Sequence, residues 1–285
     1  MPAPATPAAP DDPTPPPKGV STARLYSAYQ GGPAARDAYQ SDLDIAAQMA
    51  GLGLDPQLMA RENRAFHNRV TRYAAKELRI RQALDVGCGN PAQFGPNTHD
   101  ILEGIQPDTY RVLYVDHDPV VVAHAAALMR GDRPDATAAA QADLRNPDLI
   151  LRTAREHLDF TRPVMLLLIA VLHFIPDEDD PYSLVQTLID GLPPGSAVAV
   201  SHTTDDFAPE TMRRAETLLA GQAIRARTRH HDAIASFLDG LALVPPGITP
   251  VHQWRQPDPD TKQIPPTEIH GYGALALKPT DWTAL

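Results

Sequence analysis

Ala83-Leu84-Asp85-Val86-Gly87-Cys88-Gly89-Asn90-Pro91 carries an apolar run into a carboxylate and then into two alternating glycines. Glycines at 87 and 89 allow a sharp backbone turn and a ligand approach that any Cβ would obstruct. A second apolar run, 111–115, ends at Asp116. That is the place where a doubly wound sheet delivers the carboxylate that grips ribose hydroxyls. The two features together describe a pocket for a ribosylated adenine.

The same spacing, Gly87, Gly89 and Ala92, also satisfies the dinucleotide pattern G-x-G-x-x-[GA]. Two features weigh against it. A pyrophosphate needs a helix N-terminus directly after the glycines, whereas Pro91, Gly95 and Pro96 prolong the loop and delay the helix to Asn97 or Thr98. Asp85 would repel a pyrophosphate but suits a sulfonium or ammonium group. A nucleoside cofactor without phosphate is therefore expected, namely S-adenosylmethionine, with NAD(P) as the rival.

From residue 82 onward strand and helix patterns alternate. Apolar runs at 82–86, 111–115, 164–171 and 196–201, with a weaker one at 137–142, are separated by helical stretches near 97–105, 119–130, 147–158 and 182–191. That order calls for a mostly parallel sheet covered on both faces. Helices near 208–221 and 230–239 and late strands near 248–254 and 269–278 complete a seven-stranded, doubly wound, Rossmann-like α/β domain over 81–285. Before it, 21–80 reads as helices broken at Gly31-Gly32-Pro33 and Gly51-Leu52-Gly53, with a long helix from Met59 to Arg81. Its basic residues, Arg61 to Arg79, share one arc and read as a solvated face; the sharper reading puts Arg61 to Arg64 at a pocket mouth. Residues 1–17 hold eight of the chain's 30 prolines, so a proline-rich disordered tail is expected over 1–20.

Composition narrows the function. The net charge of −10 argues against a general affinity for nucleic acid. The longest apolar run, Val164 to Phe174, has 11 residues, well short of the roughly 20 a spanning helix needs. No signal-peptide pattern is visible. The single cysteine, Cys88, allows no intrachain disulfide and fits a reducing cytoplasm; inside the glycine turn it reads as a small filler. No metal is expected, because neither Asp177-Glu178-Asp179-Asp180 nor His230-His231-Asp232 has ligand spacing.

Ligands of open α/β sheets lie beyond the strands' carboxyl ends, which here are Asp85, Asp116, Asp143, Leu172-His173 and Ser201-His202. With these residues the chain resembles class I S-adenosylmethionine-dependent methyltransferases, and within them a bacterial S-adenosyl methyltransferase family of largely unassigned substrate. The resemblance spans about 21–278. It rests on Ser21-Thr22-Ala23-Arg24-Leu25-Tyr26, Ala60-Arg61-Glu62-Asn63-Arg64-Ala65-Phe66, Asn97-Thr98-His99, Tyr114-Val115-Asp116-His117-Asp118-Pro119, Gln141-Ala142-Asp143-Leu144-Arg145 and Ala170-Val171-Leu172-His173-Phe174-Ile175-Pro176-Asp177. It implies that Asp85, Gly87 and Gly89 line the methionine part, that Asp116 holds the ribose, and that His117, Asp143 and Leu144 surround the adenine. Tyr26, Asn63 and Ala170, within the matching motifs, join them as cofactor contacts. The amino-terminal helices would form a lid. Pro33-Ala34-Ala35-Arg36 departs from the family where an aromatic- and lysine-containing run is expected, which implies a different lid surface.

His173 is the candidate general base, since a neutral imidazole near pKa 6.5 can take a hydroxyl proton; packing beneath the cofactor is its other reading. The expected activity is methyl transfer to an oxygen, less readily a nitrogen, of a small molecule. The rivals are non-methyl S-adenosylmethionine chemistry in the same pocket and a non-catalytic cofactor-binding regulator.

Overall fold

Period-two alternation of buried side chains sorts the central strands onto two apolar faces. The strands are β1 (Gln82–Val86), β2 (Arg111–Asp116), β3 (Thr137–Gln141), β4 (Met165–Ile169) and β5 (Ala197–Thr203). Leu84, Val86, Leu113, Val115, Leu166 and Leu168 point to one face, and Ala83, Val112, Tyr114, Met165 and Leu167 to the other. The computed structural model describes residues 19–91, 95–129, 131–133 and 135–281. The expected tail, up to residue 18, and Ala92 lie outside them.

The five strands are parallel, and Gly271–Leu277 (β8) runs antiparallel to β5, paired from Ala197↔Leu277 to Thr203↔Gly271. The sheet order is β3-β2-β1-β4-β5-β8-β6, with β6 (Ala242–Leu243) and β7 (Thr249–Pro250) both pairing with β8. Strand order reverses between β1 and β4, the switch point at which such sheets open a ligand crevice.

The helices are α1 (Thr22–Gln30), α2 (Gln40–Gly51), α3 (Pro56–Lys76), α4 (Thr98–Ile105), α5 (Pro119–Leu128), α6 (Pro147–His157), α7 (Pro181–Gly191) and α8 (Pro209–Ala220), then short helices after residue 230. Helices α6 and α7 cover the first apolar face; α3, α4 and α5 cover the second. Within the expected lid segment 21–80, only α1 and α2 stand apart. Leu25, Ile45 and Met49 join Met212, Ala215 and Leu219 of α8 in a separate apolar cluster. Helix α3 instead buries Phe66, Val70 and Ala74 against the sheet.

Three details differ from the sequence reading. The strand expected over 248–254 shrinks to two residues, because Pro250 offers no N–H to the ladder and a turn follows at 251–255. The pair Ala242–Leu243 adds an eighth strand. The basic arc of α3 is not all solvated: Arg69 donates to Trp254 O (2.7 Å) and Val251 O (2.6 Å), and Arg64 to Pro96 O (2.6 Å).

Candidate active site

The glycine turn folds onto the carboxylate of the next strand. Gly87 sits at φ +70°, and a Cβ there would lie 2.4 Å from Val171 Cγ2. Gly89 sits at φ +64°, and a Cβ there would project into open space with nothing within 4 Å. The Gly89 N–H donates to Asp116 Oδ2 (3.0 Å), and the Asp118 N–H donates to Asp116 Oδ1 (3.0 Å). Oδ2 keeps a further lone pair for a ligand hydroxyl, while His117 Nδ1 lies 3.4 Å from Oδ1. His117, exposed, is raised above its ordinary pKa, chiefly by its hydrogen bond to Asp116.

Asp85 shares the sheet face of Ala83, beneath α3 and α4. Thr98 Oγ, at the start of α4, donates to Asp85 Oδ2 (2.6 Å), and His67 Nε2 of α3 lies 2.9 Å from the same Oγ. The other ring nitrogen, His67 Nδ1, lies 3.1 Å from Asn68 Oδ1. Burial raises Asp85 to about 6 and lowers His67 to about 3.

These groups line a cleft of about 480 Å³ beyond the carboxyl ends of the strands. All ten residues expected at the cofactor lie in its wall: Tyr26, Asn63, Asp85, Gly87, Gly89, Asp116, His117, Asp143, Leu144 and Ala170. Asp143 is engaged by Arg145, whose N–H donates at 2.8 Å and whose guanidinium lies 3.3 Å from both carboxylate oxygens. Arg64 also lines the cleft, and its buried Nε has no hydrogen-bond partner.

His173 is not in that cleft. It lines a second, apolar cavity of about 140 Å³, walled by α1, α2 and α8. Thr22, Tyr26, Asn63, Ala170 and Phe174 line both cavities. Ala170, at φ +53°, holds a left-handed conformation uncommon for a residue with a side chain. A polar chain crosses this junction. The Ala170 N–H donates to Ser201 Oγ (3.0 Å), Ser201 Oγ to Asn63 Oδ1 (2.6 Å), and Asn63 Nδ2 to Tyr26 Oη (2.9 Å).

The imidazole of His173 differs from the ordinary one expected from sequence. Burial, helped by the Arg229 charge, lowers its pKa to about 3, so it is neutral throughout the physiological range. Its buried Nδ1 has no partner. Behind it stands His202, at 5.7 Å between ring centroids. Arg229, 3 % exposed, donates to His202 Nε2 (2.9 Å), Leu172 O (3.3 Å), Ile175 O (2.9 Å) and Asp177 Oδ1 (2.6 Å).

The cleft's wall suits S-adenosylmethionine. Four carboxylates against three arginines, with no lysine, meet a cationic cofactor and its ribose hydroxyls, Arg64 offers a free donor to a carboxylate, and only hydrogen at Gly89 leaves the cradle open. A family model described as S-adenosyl methyltransferase matches residues 17–279. This chain belongs to that S-adenosyl methyltransferase family. It is therefore an S-adenosylmethionine-dependent methyltransferase, with S-adenosylmethionine as its cofactor.

Solved structures agree. A DUF574 family protein from Streptomyces avermitilis is 38% identical with a TM-score of 0.84, over 92% of this chain and 98% of that one. A candidate methyltransferase from Thermobifida fusca is 31% identical with a TM-score of 0.81, over 91% and 95%. An O-methyltransferase family protein from Burkholderia thailandensis, 13% identical over 82% of this chain and 64% of that one, shares the fold at a TM-score of 0.51. No curated protein matches the chain. Among the described residues, no helix of the methyltransferase is long and apolar enough to cross a membrane, and no group of three His, Cys, Asp or Glu residues is placed to hold a metal.

The sequence alone assigned no role to His67, Thr98 or Arg229. His67 had a signal: it lies four residues after Asn63, on the same face of α3. Thr98 had one too, at the start of the first helix after the glycine loop. Arg229 comes from the segment after β5, where no local pattern sets it apart.

Proposed function

We propose that the enzyme methylates an oxygen of a small, single-ring, largely apolar molecule. The observation that carries this is the second cavity, set against the shared wall of the cofactor cleft. Its volume of about 140 Å³ is close to the ~150 Å³ apolar cavity that takes one benzene. An apolar pocket of that size suits a monocyclic hydroxyl compound better than a base or side chain presented on a macromolecular surface.

Bound S-adenosylmethionine supplies a methyl group on a positively charged sulfur, open to in-line displacement. Asp116 would accept from the ribose hydroxyls, Asp85 would face the cationic ammonium, and Arg64 would face the carboxylate. His117, Asp143 and Leu144 would enclose the adenine, with Asp143 exchanging its Arg145 contact for the adenine amino group. His173 would accept the hydrogen of the acceptor hydroxyl at Nδ1. An imidazole with a pKa of about 3 is a weak base, so it aligns the hydroxyl and takes the proton only as the new carbon–oxygen bond forms. Acidic hydroxyls such as phenols suit that best. Helices α1 and α2 would serve as the lid that keeps the junction dry.

Mass spectrometry of purified protein incubated with S-adenosylmethionine and a panel of monocyclic phenols tests this. An O-methylated ring, heavier by one CH₂, is the expected product. Methylation of nitrogen alone, or of no monocyclic hydroxyl compound by protein that binds the cofactor, contradicts it.

A further inference from the structure

Glu216 stands out in the acceptor cavity. It projects from α8 into a wall otherwise made of leucine, methionine, tyrosine and other uncharged side chains, and among the described residues it is the one aspartate, glutamate, lysine or arginine there. The three histidines of that wall are neutral at physiological pH. Burial lowers His173 to about 3 and pushes His202 and His270 below the ordinary imidazole value. The cavity therefore carries one net negative charge.

The protein does not balance that charge. Glu216 Oε1 accepts from the Thr228 N–H (2.5 Å) and from Thr228 Oγ (2.6 Å). Both donors are neutral and both act on the same oxygen. No Lys, Arg or His among the described residues forms an ion pair with Glu216. The nearby arginines are committed elsewhere: Arg225 to Asp179, and Arg227 and Arg229 to Asp177. A carboxylate beside apolar surface without a counter-charge is costly unless something cationic completes it. Tyr26, Tyr29 and Phe174 add aromatic faces that also attract a cation.

The geometry points to a cationic acceptor: a single-ring hydroxyl compound that also bears a protonated amino group, which Glu216 selects while His173 receives the hydroxyl. This deepens the proposal above and rests on its placement of the acceptor in this cavity. Glu216 is then the specificity-determining residue. Methyl transfer goes to oxygen and leaves the ammonium intact, because a protonated amine has no lone pair to donate.

Calorimetry with two near-isosteric probes tests the inference separately from turnover. The wild-type protein, loaded with S-adenosylhomocysteine, is titrated with 4-(2-aminoethyl)phenol and with 4-propylphenol. The amine should bind at least tenfold more tightly, and its advantage should shrink at high salt. In Glu216→Gln, which keeps an oxygen for Thr228, the tenfold preference should collapse toward parity. Equal affinity for the two probes in the wild type, or an undiminished preference in a Glu216→Gln protein of unchanged melting temperature, overturns the inference. The functional proposal is read independently from the methylated product: a neutral phenol O-methylated without any amine preference removes the role of Glu216 and leaves oxygen methylation standing.

Discussion

Asp85 is a residue whose environment works against its own charge. Buried beneath α3 and α4, it has a pKa of about 6 against an ordinary 3.8. A carboxyl raised in the folded state favours the protonated form, so its contribution to stability is full below about 3.8 and is lost as pH rises through about 6. At neutral pH the free enzyme therefore holds a destabilising anion, which a cationic cofactor relieves. Asp85→Asn should raise the cofactor-free protein's unfolding free energy at pH 7.5 by up to about 3 kcal/mol, as read by urea denaturation. The same change should weaken S-adenosylhomocysteine binding. Wild-type affinity should rise with pH through about 6, and the variant's should not. A pH-independent wild-type affinity would remove Asp85 from cofactor recognition.

His173 gives a second test at this scale. If it receives the acceptor's hydrogen, His173→Ala should lower turnover by roughly 10²–10⁴ with cofactor affinity nearly intact. A lowered imidazole pKa means that the group is neutral above about 3, so its own ionisation should leave no step in the rate between pH 5 and 8. An ordinary imidazole would give a rise near 6.5. That rise, in kcat of the wild type and absent from the variant, would contradict the burial seen here. Position was legible in the sequence; charge state was not. Leu172-His173-Phe174 follows the most apolar strand as a single 3-10 turn, which puts the ring in the wall of the apolar cavity. Its pKa is lowered first by burial and then by Arg229, a residue more than fifty positions away that no local pattern links to it.

At the scale of elements, the glycine loop and the strand ends were legible because each is a local requirement. Gly87 needs a positive φ, and a Cβ there would strike Val171. Asp85 and Asp116 end strands whose apolar runs set them apart. The carboxyl-terminal strands were less legible, because β6 and β7 are two residues each and are fixed by pairing with β8 rather than by their own pattern. The 172–177 segment shows the same dependence on distant chain. Arg229 reaches into it and satisfies Leu172 O, Ile175 O and His202 Nε2 together. Arg229→Met would leave Ile175 O and His202 Nε2 unpaired, at about 1–3 kcal/mol each, whereas Leu172 O keeps the Ile175 N–H (3.1 Å). Thermal or urea unfolding should register a loss of at least about 2 kcal/mol. Acceptor KM should rise more than cofactor Kd, because the Arg229 contacts hold the wall of the acceptor cavity. An equal loss in both, or neither, would make Arg229 a general packing residue.

At the scale of the whole molecule, two cavities share one wall, and the amino-terminal helices close over it. Ser21 Oγ donates to Asp118 Oδ2 (3.3 Å) and Asn90 Nδ2 to Ser27 Oγ (3.2 Å), so α1 is tied to both cofactor loops. The buried Arg24–Asp42 pair (2.8 Å) ties α1 to α2. Helix α2 in turn packs on α8, which carries Glu216. The polar cleft, the amino-terminal helices and the apolar cavity thus form one connected arrangement, and the proposal places methyl transfer where Thr22, Tyr26, Asn63, Ala170 and Phe174 line both spaces. A crystal structure of the enzyme with S-adenosylhomocysteine tests this most directly. The account predicts ribose hydroxyls on Asp116 and the sulfur at the shared wall, open toward His173. A nucleoside bound in the apolar cavity, or a sulfur buried away from the Ala170–Phe174 wall, would contradict it.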